Sequence, residues 1–311
     1  MPLFMVTGGA GFIGSHIAEE IVREGLGDVV IFDNLSSGNE ANIAHLRAGV
    51  RFVKGDTRNT LEVMKAMEGV DYVFHQAAFV SAFDSYNKPQ LANDVNIGGT
   101  FNVLDAARKA GAMRVVLASS AAIYGTESQL PNREKLLPAP ESPYAISKAC
   151  NEYHARLFSK YWGLETVCLR YFNVFGPRQD PSSEYSGVIS RFVEAISRGK
   201  NPIIYGDGSQ TRDFVYVKDV ARANIRAALA DACGKGEIIN VGTGRETSLL
   251  DVIGALREVY GREINPEFRP WRDGDIRRSV ASTDLAKRIL GIESTADFVS
   301  GMRFLAEASR V

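Results

Sequence analysis

What this chain lacks narrows the field before what it contains. Its three cysteines, Cys150, Cys168 and Cys233, stand far apart with no CxxC and no Cys/His spacing. That leaves no disulfide framework and no metal site to expect, and a reducing cytoplasm is the compartment such usage fits. No apolar run approaches the roughly 20 residues that span a bilayer. No basic segment comes before the first apolar stretch, so Leu3–Val6 reads as an opening strand rather than an export signal. An excess of charge of one sign is missing too. With 36 basic side chains against 37 acidic ones the formal charge is −1, which gives no electrostatic footprint for nucleic acid or an anionic membrane. Any anion bound here must be held by local geometry. Internal repeats and low-complexity stretches are also absent.

The 311 residues are enough for two domains, or for one large α/β unit with an annex. Apolar side chains make up 45% and charged ones 23%, the mixture of an ordinary globular protein with a sizeable core. Short runs rich in Val, Ile, Leu and Phe recur at Leu3–Thr7, Val29–Asp33, Arg51–Lys54, Tyr72–His75, Arg114–Ser119 and Thr166–Arg170. They are mostly apolar rather than alternating, as parallel strands covered on both faces require. Between them Ser15–Glu24, Thr60–Met67, Gly99–Lys109 and Tyr144–Tyr161 carry the helical period. This alternation predicts an α/β fold, a doubly wound parallel sheet of the Rossmann type with a smaller α/β domain beside it. Beyond about residue 172 the rhythm changes, with Pro177, Pro181 and a Ser-rich stretch at Asp180–Gly187 where the chain is expected to leave the sheet. Returns are expected at Phe214–Val217 and Ile238–Val241, and Ser248–Arg257, Phe268–Ile276 and Thr283–Leu290 read as the annex.

The segment Thr7–Gly14, TGGAGFIG, follows the first strand and opens a helix, with Gly8, Gly11 and Gly14 at GxxGxxG spacing. Lacking side chains, these positions let backbone approach a pyrophosphate, while Phe12, Ile13 and the helix N-terminus offer N–H donors and a positive dipole. A glycine triplet alone is often just a turn. Here the second strand ends at Asp33, near 20 residues further on, where a carboxylate accepts hydrogen bonds from an adenosine ribose and repels a 2′-phosphate. That predicts NAD rather than NADP as cofactor, with Asn34, Ser36 and Gly38 in the loop beside it.

Tyr144 and Lys148 stand four apart just after Ser142-Pro143, a natural N-cap and first helical residue, so they share one helix face. A phenol with a pKa near 10 is a poor base at pH 7, but an adjacent ammonium and a positively charged nicotinamide both favour the phenolate. Ser119-Ser120 closes a strand at the carboxyl edge of the sheet, where ligands of open α/β sheets bind and a hydroxyl can pass a proton to the phenol. Separately, a YxxxK pair is also what a surface helix carries, and a Ser pair also caps strand ends. Together with the glycine loop they point to proton and hydride chemistry.

TGGAGFIG, the HQAA of His75–Ala78, the SSAAIYG of Ser119–Gly125, YAISK and the RYFNVFGP of Arg170–Pro177 resemble the extended short-chain dehydrogenase/reductases. More narrowly they are similar to the NAD-dependent nucleotide-sugar 4-epimerases, the UDP-glucose/UDP-N-acetylglucosamine group. The resemblance implies a catalytic set of Ser120, Tyr144 and Lys148. It implies Asp56 and Thr57 near the adenine, Ala77, Ala78 and Tyr171 along the cofactor, and Asn96 supporting the site. It places Ser81, Asn173, Arg212, Arg272, Asp275 and Ser279 on the UDP-sugar, the two arginines on its phosphates. It implies a dinucleotide-binding domain of residues 1–172 plus about 212–242 and a nucleotide-sugar-binding domain of about 173–211 plus 243–311. It also implies a homodimer paired through the helices at Gly99–Lys109 and Tyr144–Tyr161.

Departures narrow the chemistry. Ala121 and Ala122 stand where the family's sugar dehydratases carry an acid pair, so water elimination and uronate decarboxylation lack a proton handler. Asn173 and Asp180 stand where uronate epimerases carry Thr and a carboxylate-binding Arg, which favours a neutral sugar. Ser279 leaves room for an N-acetyl group that a Tyr there would exclude. The expectation is reversible 4-epimerisation of a UDP-hexose, N-acetylated or not, through a 4-keto sugar. The rivals are another nucleotide-sugar oxidoreductase, whether reductase or uronate epimerase, and a catalytically silent dinucleotide sensor.

Overall fold

In β1 (Leu3–Thr7), Phe4 and Val6 turn to one side of the sheet and Met5 to the other, and all three are buried. This two-residue alternation, repeated strand after strand, builds one core on each face. The computed structural model describes residues 1–46, 49–126, 129–180, 187–271, 276–292 and 297–309.

After β1 come α1 (Phe12–Arg23), β2 (Asp28–Asp33), β3 (Val50–Lys54), α2 (Thr60–Ala66) and β4 (Tyr72–His75). Next, α3 (Ala82–Asn87), α4 (Pro89–Asn93) and a π-type turn at Asp94–Gly98 lead into α5 (Gly99–Ala110) and β5 (Arg114–Ser120). A 3-10 turn, Ala121–Tyr124, precedes α6 (Pro143–Trp162), β6 (Glu165–Tyr171), β7 (Asn173–Phe175) and α7 (Val188–Ser197). Then follow β8 (Ile203–Tyr205), β9 (Thr211–Arg212), β10 (Phe214–Tyr216), α8 (Val217–Leu229), β11 (Lys235–Val241) and β12 (Thr247–Ser248). The chain closes with α9 (Leu249–Tyr260), β13 (Glu267–Arg269), α10 (Asp284–Leu290) and α11 (Phe298–Ala308).

Seven strands form one parallel sheet in the order β11-β6-β5-β4-β1-β2-β3. It is the doubly wound Rossmann-type sheet, and strand order reverses between β1 and β4, which opens a crevice at their carboxyl ends. On one face lie α1, α8 and α10, contributing Ile17, Ile21, Val220 and Leu290 to a core with Phe4, Val6 and Leu169. On the other lie α2, α5 and α6, contributing Val63, Leu104 and Phe158 to a core with Met5, Val73 and Leu117. A third core joins α7, α9 and α11 with Phe175, Ile204 and Phe214, and Phe12 and Ile13 at the start of α1 pack against it.

Of the two expected returns to the sheet, only Ile238–Val241 makes one. The run at Phe214–Tyr216 instead pairs in parallel with β7 in a ribbon of its own, because β11 already occupies the edge beside β6. The helices α3, α4, α7, α8 and α11 were not anticipated from the sequence. Among the described residues no helix is long and apolar enough to cross a membrane, and no cluster of His, Cys, Asp or Glu could hold a metal.

Candidate active site

The carboxyl ends of β1, β2, β4, β5 and β6 converge on the crevice. Gly8 turns there with φ +65°, and a Cβ on it would lie 2.7 Å from the Ala77 nitrogen. A Cβ on Gly14 would lie 2.2 Å from the Gly8 carbonyl oxygen, so this loop closes only with glycine at both positions. Gly11 caps α1 without a side-chain hydrogen bond and no acid sits in the first turn. The N–H groups of Phe12, Ile13 and Gly14, in the first turn ahead of the Ser15 N–H that bonds the Gly11 carbonyl, thus have no partner within the helix, as a pyrophosphate cradle requires.

Asp33 ends β2 and is 7% exposed. Its carboxylate accepts from the Ala10 N–H at 3.0 Å and the Leu35 N–H at 2.8 Å, which leaves lone pairs for a ribose hydroxyl. It is not a solvated turn residue. A Cβ on Gly38 would come within 2.9 Å of its oxygens, so glycine keeps that side open. Asn34 Nδ2 donates to Asp56 at 2.9 Å and holds its own turn through the Ser36 N–H. The Arg58 guanidinium holds the Asp56 carboxyl well below the usual range. Thr57 is buried beneath Gly99, where any side chain would strike its hydroxyl.

His75, at the end of β4, is buried between Thr7 and Thr100, its Nδ1 at 2.7 Å and Nε2 at 2.9 Å from their hydroxyls. The Thr100 hydroxyl donates to the Asn96 carbonyl, so Nε2 carries the imidazole proton and Nδ1 accepts from Thr7. Burial pushes its pKa down to about 3, and the ring stays neutral. Thr7 also accepts from the Ala77 N–H at 3.3 Å, which fixes the strand end leading to Ala78.

Asn96 sits in the π-type turn. Its Oδ1 accepts from the Phe79 N–H at 2.7 Å, and its Nδ2 donates to the Phe79 carbonyl and the Ser147 hydroxyl. It clamps the loop after β4 to α6. Tyr171 is likewise engaged with protein, donating toward Asn224 at 2.9 Å and Gln76 at 3.2 Å.

Ser142 caps α6 through the Ala145 N–H at 3.1 Å with Pro143 at the first position, as the sequence predicts. Lys148 is buried, its Nζ lies 5.7 Å from the Tyr144 ring centroid, and it donates to the Ala118 carbonyl at 2.8 Å. Burial pushes its pKa down to about 8. Burial also pushes the Tyr144 phenol up, and a hydrogen bond with Ser120 opposes it. The acidification expected from the adjacent ammonium is therefore not what the protein alone gives, since burial holds the phenol above its ordinary value. A further positive charge at the ring is required.

On the other wall, Ser81 caps α3 by accepting from the Asp84 N–H at 2.8 Å, so its hydroxyl has a structural partner. Asn173 is exposed at the start of β7. Arg212 is half-buried and donates to the Thr211 carbonyl at 2.9 Å among its partners. Ser279 is 8% exposed. Arg272 and Asp275 lie outside the described residues. Sequence reasoning missed Asp213, which follows Arg212. Fully buried, it accepts from the Thr243 and Gly244 N–H groups and from the Ala281 N–H, drawing three segments together around Arg212 and Ser279. The TRDF motif was its signal.

A glycine-lined crevice on a parallel sheet, an acid closing β2 and a Ser–Tyr–Lys set at the β5 edge define the extended short-chain dehydrogenase/reductase class. Residues 4–242 match the model of the NAD-dependent epimerase/dehydratase family, so the chain belongs to that family and is an NAD-dependent enzyme. A UDP-glucose 4-epimerase of Mycolicibacterium smegmatis is 38% identical over 98% of both chains. A UDP-N-acetylglucosamine 4-epimerase of Methanobrevibacter ruminantium, solved with UDP-N-acetylmuramic acid, superposes with TM-score 0.94 at 36% identity over 99% of this chain and 97% of that one. A Thermus thermophilus UDP-glucose 4-epimerase, solved with NAD, gives 0.89 at 37% over 99% of each.

Proposed function

We propose that this enzyme inverts carbon 4 of a UDP-hexose, interconverting UDP-glucose with UDP-galactose and UDP-N-acetylglucosamine with UDP-N-acetylgalactosamine. The observation that carries the reading is Tyr144 with the buried Lys148 beside it, the Nζ 5.7 Å from the phenol ring, and Ser120 ending β5 at the carboxyl edge of the sheet. Bound in the crevice, NAD supplies the positive nicotinamide charge and the hydride acceptor and donor. Tyr144 takes the proton of the sugar 4-hydroxyl and later returns it, while Ser120 hydrogen-bonds the same oxygen. Lys148, its pKa lowered to about 8 by burial and so still mainly an ammonium at neutral pH, keeps the phenol oriented and favours its ionised form. Gly8, Gly11, Phe12, Ile13 and Gly14 hold the pyrophosphate, Asp33 the ribose, and Asn34, Ser36, Gly38, Asp56 and Thr57 the adenosine end. Ala77, Ala78 and Tyr171 line the path of the dinucleotide.

For inversion, the 4-keto sugar must turn over without leaving. Holding the UDP through Asn173, Arg212, Arg272 and Asp275 while leaving the hexose to Ser81 and Ser279 meets that need. Ala121 and Ala122 begin the 3-10 turn after Ser120 and bring no carboxylate for water elimination. The product spectrum from UDP-glucose and UDP-N-acetylglucosamine, side by side, tests this. Epimers without net NADH support it, whereas NADH accumulation makes the enzyme a dehydrogenase. Ser279→Tyr should abolish turnover of the N-acetylated pair selectively, and equal loss on UDP-glucose refutes that role.

The same reading includes a homodimer. Ile146, Tyr153, Leu157 and Tyr161 recur at helical spacing along α6 and are exposed, as is Phe101 on α5. Such a stripe supports pairing of α5 and α6 with those of a second copy.

A further inference from the structure

One residue below the crevice lies a layer of polar side chains that the proton chemistry does not use. Ser119, Arg170 and Asn240 occupy one row across β5, β6 and β11, each the register partner of the next. Glu152, one turn beyond Lys148 on α6, reaches down to this row. It accepts from the Ser119 hydroxyl at 2.6 Å and from Arg170 Nε and a terminal nitrogen, both at 2.8 Å. The guanidinium carbon of Arg170 lies 4.7 Å from the Tyr124 ring centroid, and the Tyr124 hydroxyl donates to Asn240 at 2.7 Å. None of the five is more than 4% exposed.

A buried ion pair is a poor device for stability, because desolving both charges cancels most of the attraction between them. Its placement explains it better. Ser119 is the residue before Ser120, and Tyr124 is the last residue of the 3-10 turn that follows it. Both flanks of Ser120 are thus tied to one ion pair, whose glutamate is carried by the helix that bears Tyr144 and Lys148.

We propose that Glu152 and Arg170 are positioning residues that fix the distance and orientation between Ser120 and Tyr144. This rests on the reading of Tyr144 as the proton carrier. Around the layer, His75 is neutral, Cys168 is held as a thiol by burial, and the Tyr124 and Tyr171 phenols are pushed up. Lys148 ends on the Ala118 carbonyl, Arg156 is exposed and Glu134 accepts from the Asn240 N–H at 2.9 Å, so none of them stands in for the pair.

The test is Glu152→Leu/Arg170→Met in the NAD-loaded enzyme, which removes both charges together and leaves neither unpaired. We expect an unchanged melting temperature or a higher one, a KM for the UDP-sugar within about threefold, and a kcat lower by tenfold or more, of the order misplacement of reacting groups produces. The acidic limb of kcat moves to higher pH. So does the ultraviolet tyrosinate signal that Tyr144→Phe deletes, since the Ser120 hydrogen bond that lowers the phenol is loosened. Wild-type kcat with an unmoved tyrosinate titration overturns the proposal. If the double variant does not fold, Ser119→Ala decides: a lowered kcat at constant KM, rescued by Ser119→Thr, supports it, and wild-type kinetics refute it. A wild-type protein that epimerises no UDP-sugar refutes the proposed function instead, and the tyrosinate titration still decides the positioning role.

Discussion

On the proposed mechanism Tyr144 carries the proton, so Tyr144→Phe should retain fold and NAD while kcat falls by roughly 10²–10⁴-fold, the span general acid–base catalysis covers. Measuring NAD content beside turnover checks it, and turnover close to wild type removes the base. His75 gives a second test. Its folded pKa, about 3, lies below the ordinary 6.5, so the unfolded chain binds the extra proton between those values. Stability from this residue is complete above pH 6.5 and is lost as pH falls toward 3. His16, pushed down to about 4, adds in the same direction. Urea midpoints across that window should drop with acid, and His75→Gln should flatten the slope; an equal slope in the variant contradicts the assignment. Asp33 and the Tyr144–Lys148 pair could be picked out in the sequence by their spacing, and Ser120 by the family resemblance. His75 and Glu152 were not, since their roles arise from burial against residues 25 and 33 positions away.

At the level of elements, the glycine loop and α6 were readable from local chemistry: a strand, glycines, a cap and a proline. Gly8→Ala should test the loop, because a side chain there meets Ala77 and a left-handed backbone at once. A loss of about 1–3 kcal/mol, with weakened NAD binding, is expected; calorimetry and cofactor titration read both, and unaltered NAD affinity would rule out the close approach. Phe214–Tyr216 shows where local reading fails. Three apolar residues suit either the main sheet or a separate ribbon, and only the competing claim of β11 on the edge decides. α7 and α11 escaped because their apolar stripes face a core assembled from distant segments. The start of α1 also came earlier than periodicity suggests, at Phe12 rather than Ser15, because the helix begins inside the loop it serves.

For the whole molecule, the mass in solution is the decisive quantity. Sedimentation should report twice the 34.0 kDa of one chain, and glutamates introduced at Tyr153 and Leu157 should give a single chain that still binds NAD. A wild-type monomer, or a variant that remains paired, contradicts the exposed-stripe reading. The parallel sheet was legible from its apolar runs, whereas the gathering of segments around Asp213 was not, because a buried carboxylate looks like any other acid in a sequence. One helix, α6, bears the proposed proton carrier near its start, the glutamate of the buried ion pair at its middle and exposed apolar side chains at Ile146, Tyr153, Leu157 and Tyr161. On the proposed mechanism, redirecting this enzyme to a new sugar leaves that rod alone and recombines the segments gathered by Asp213.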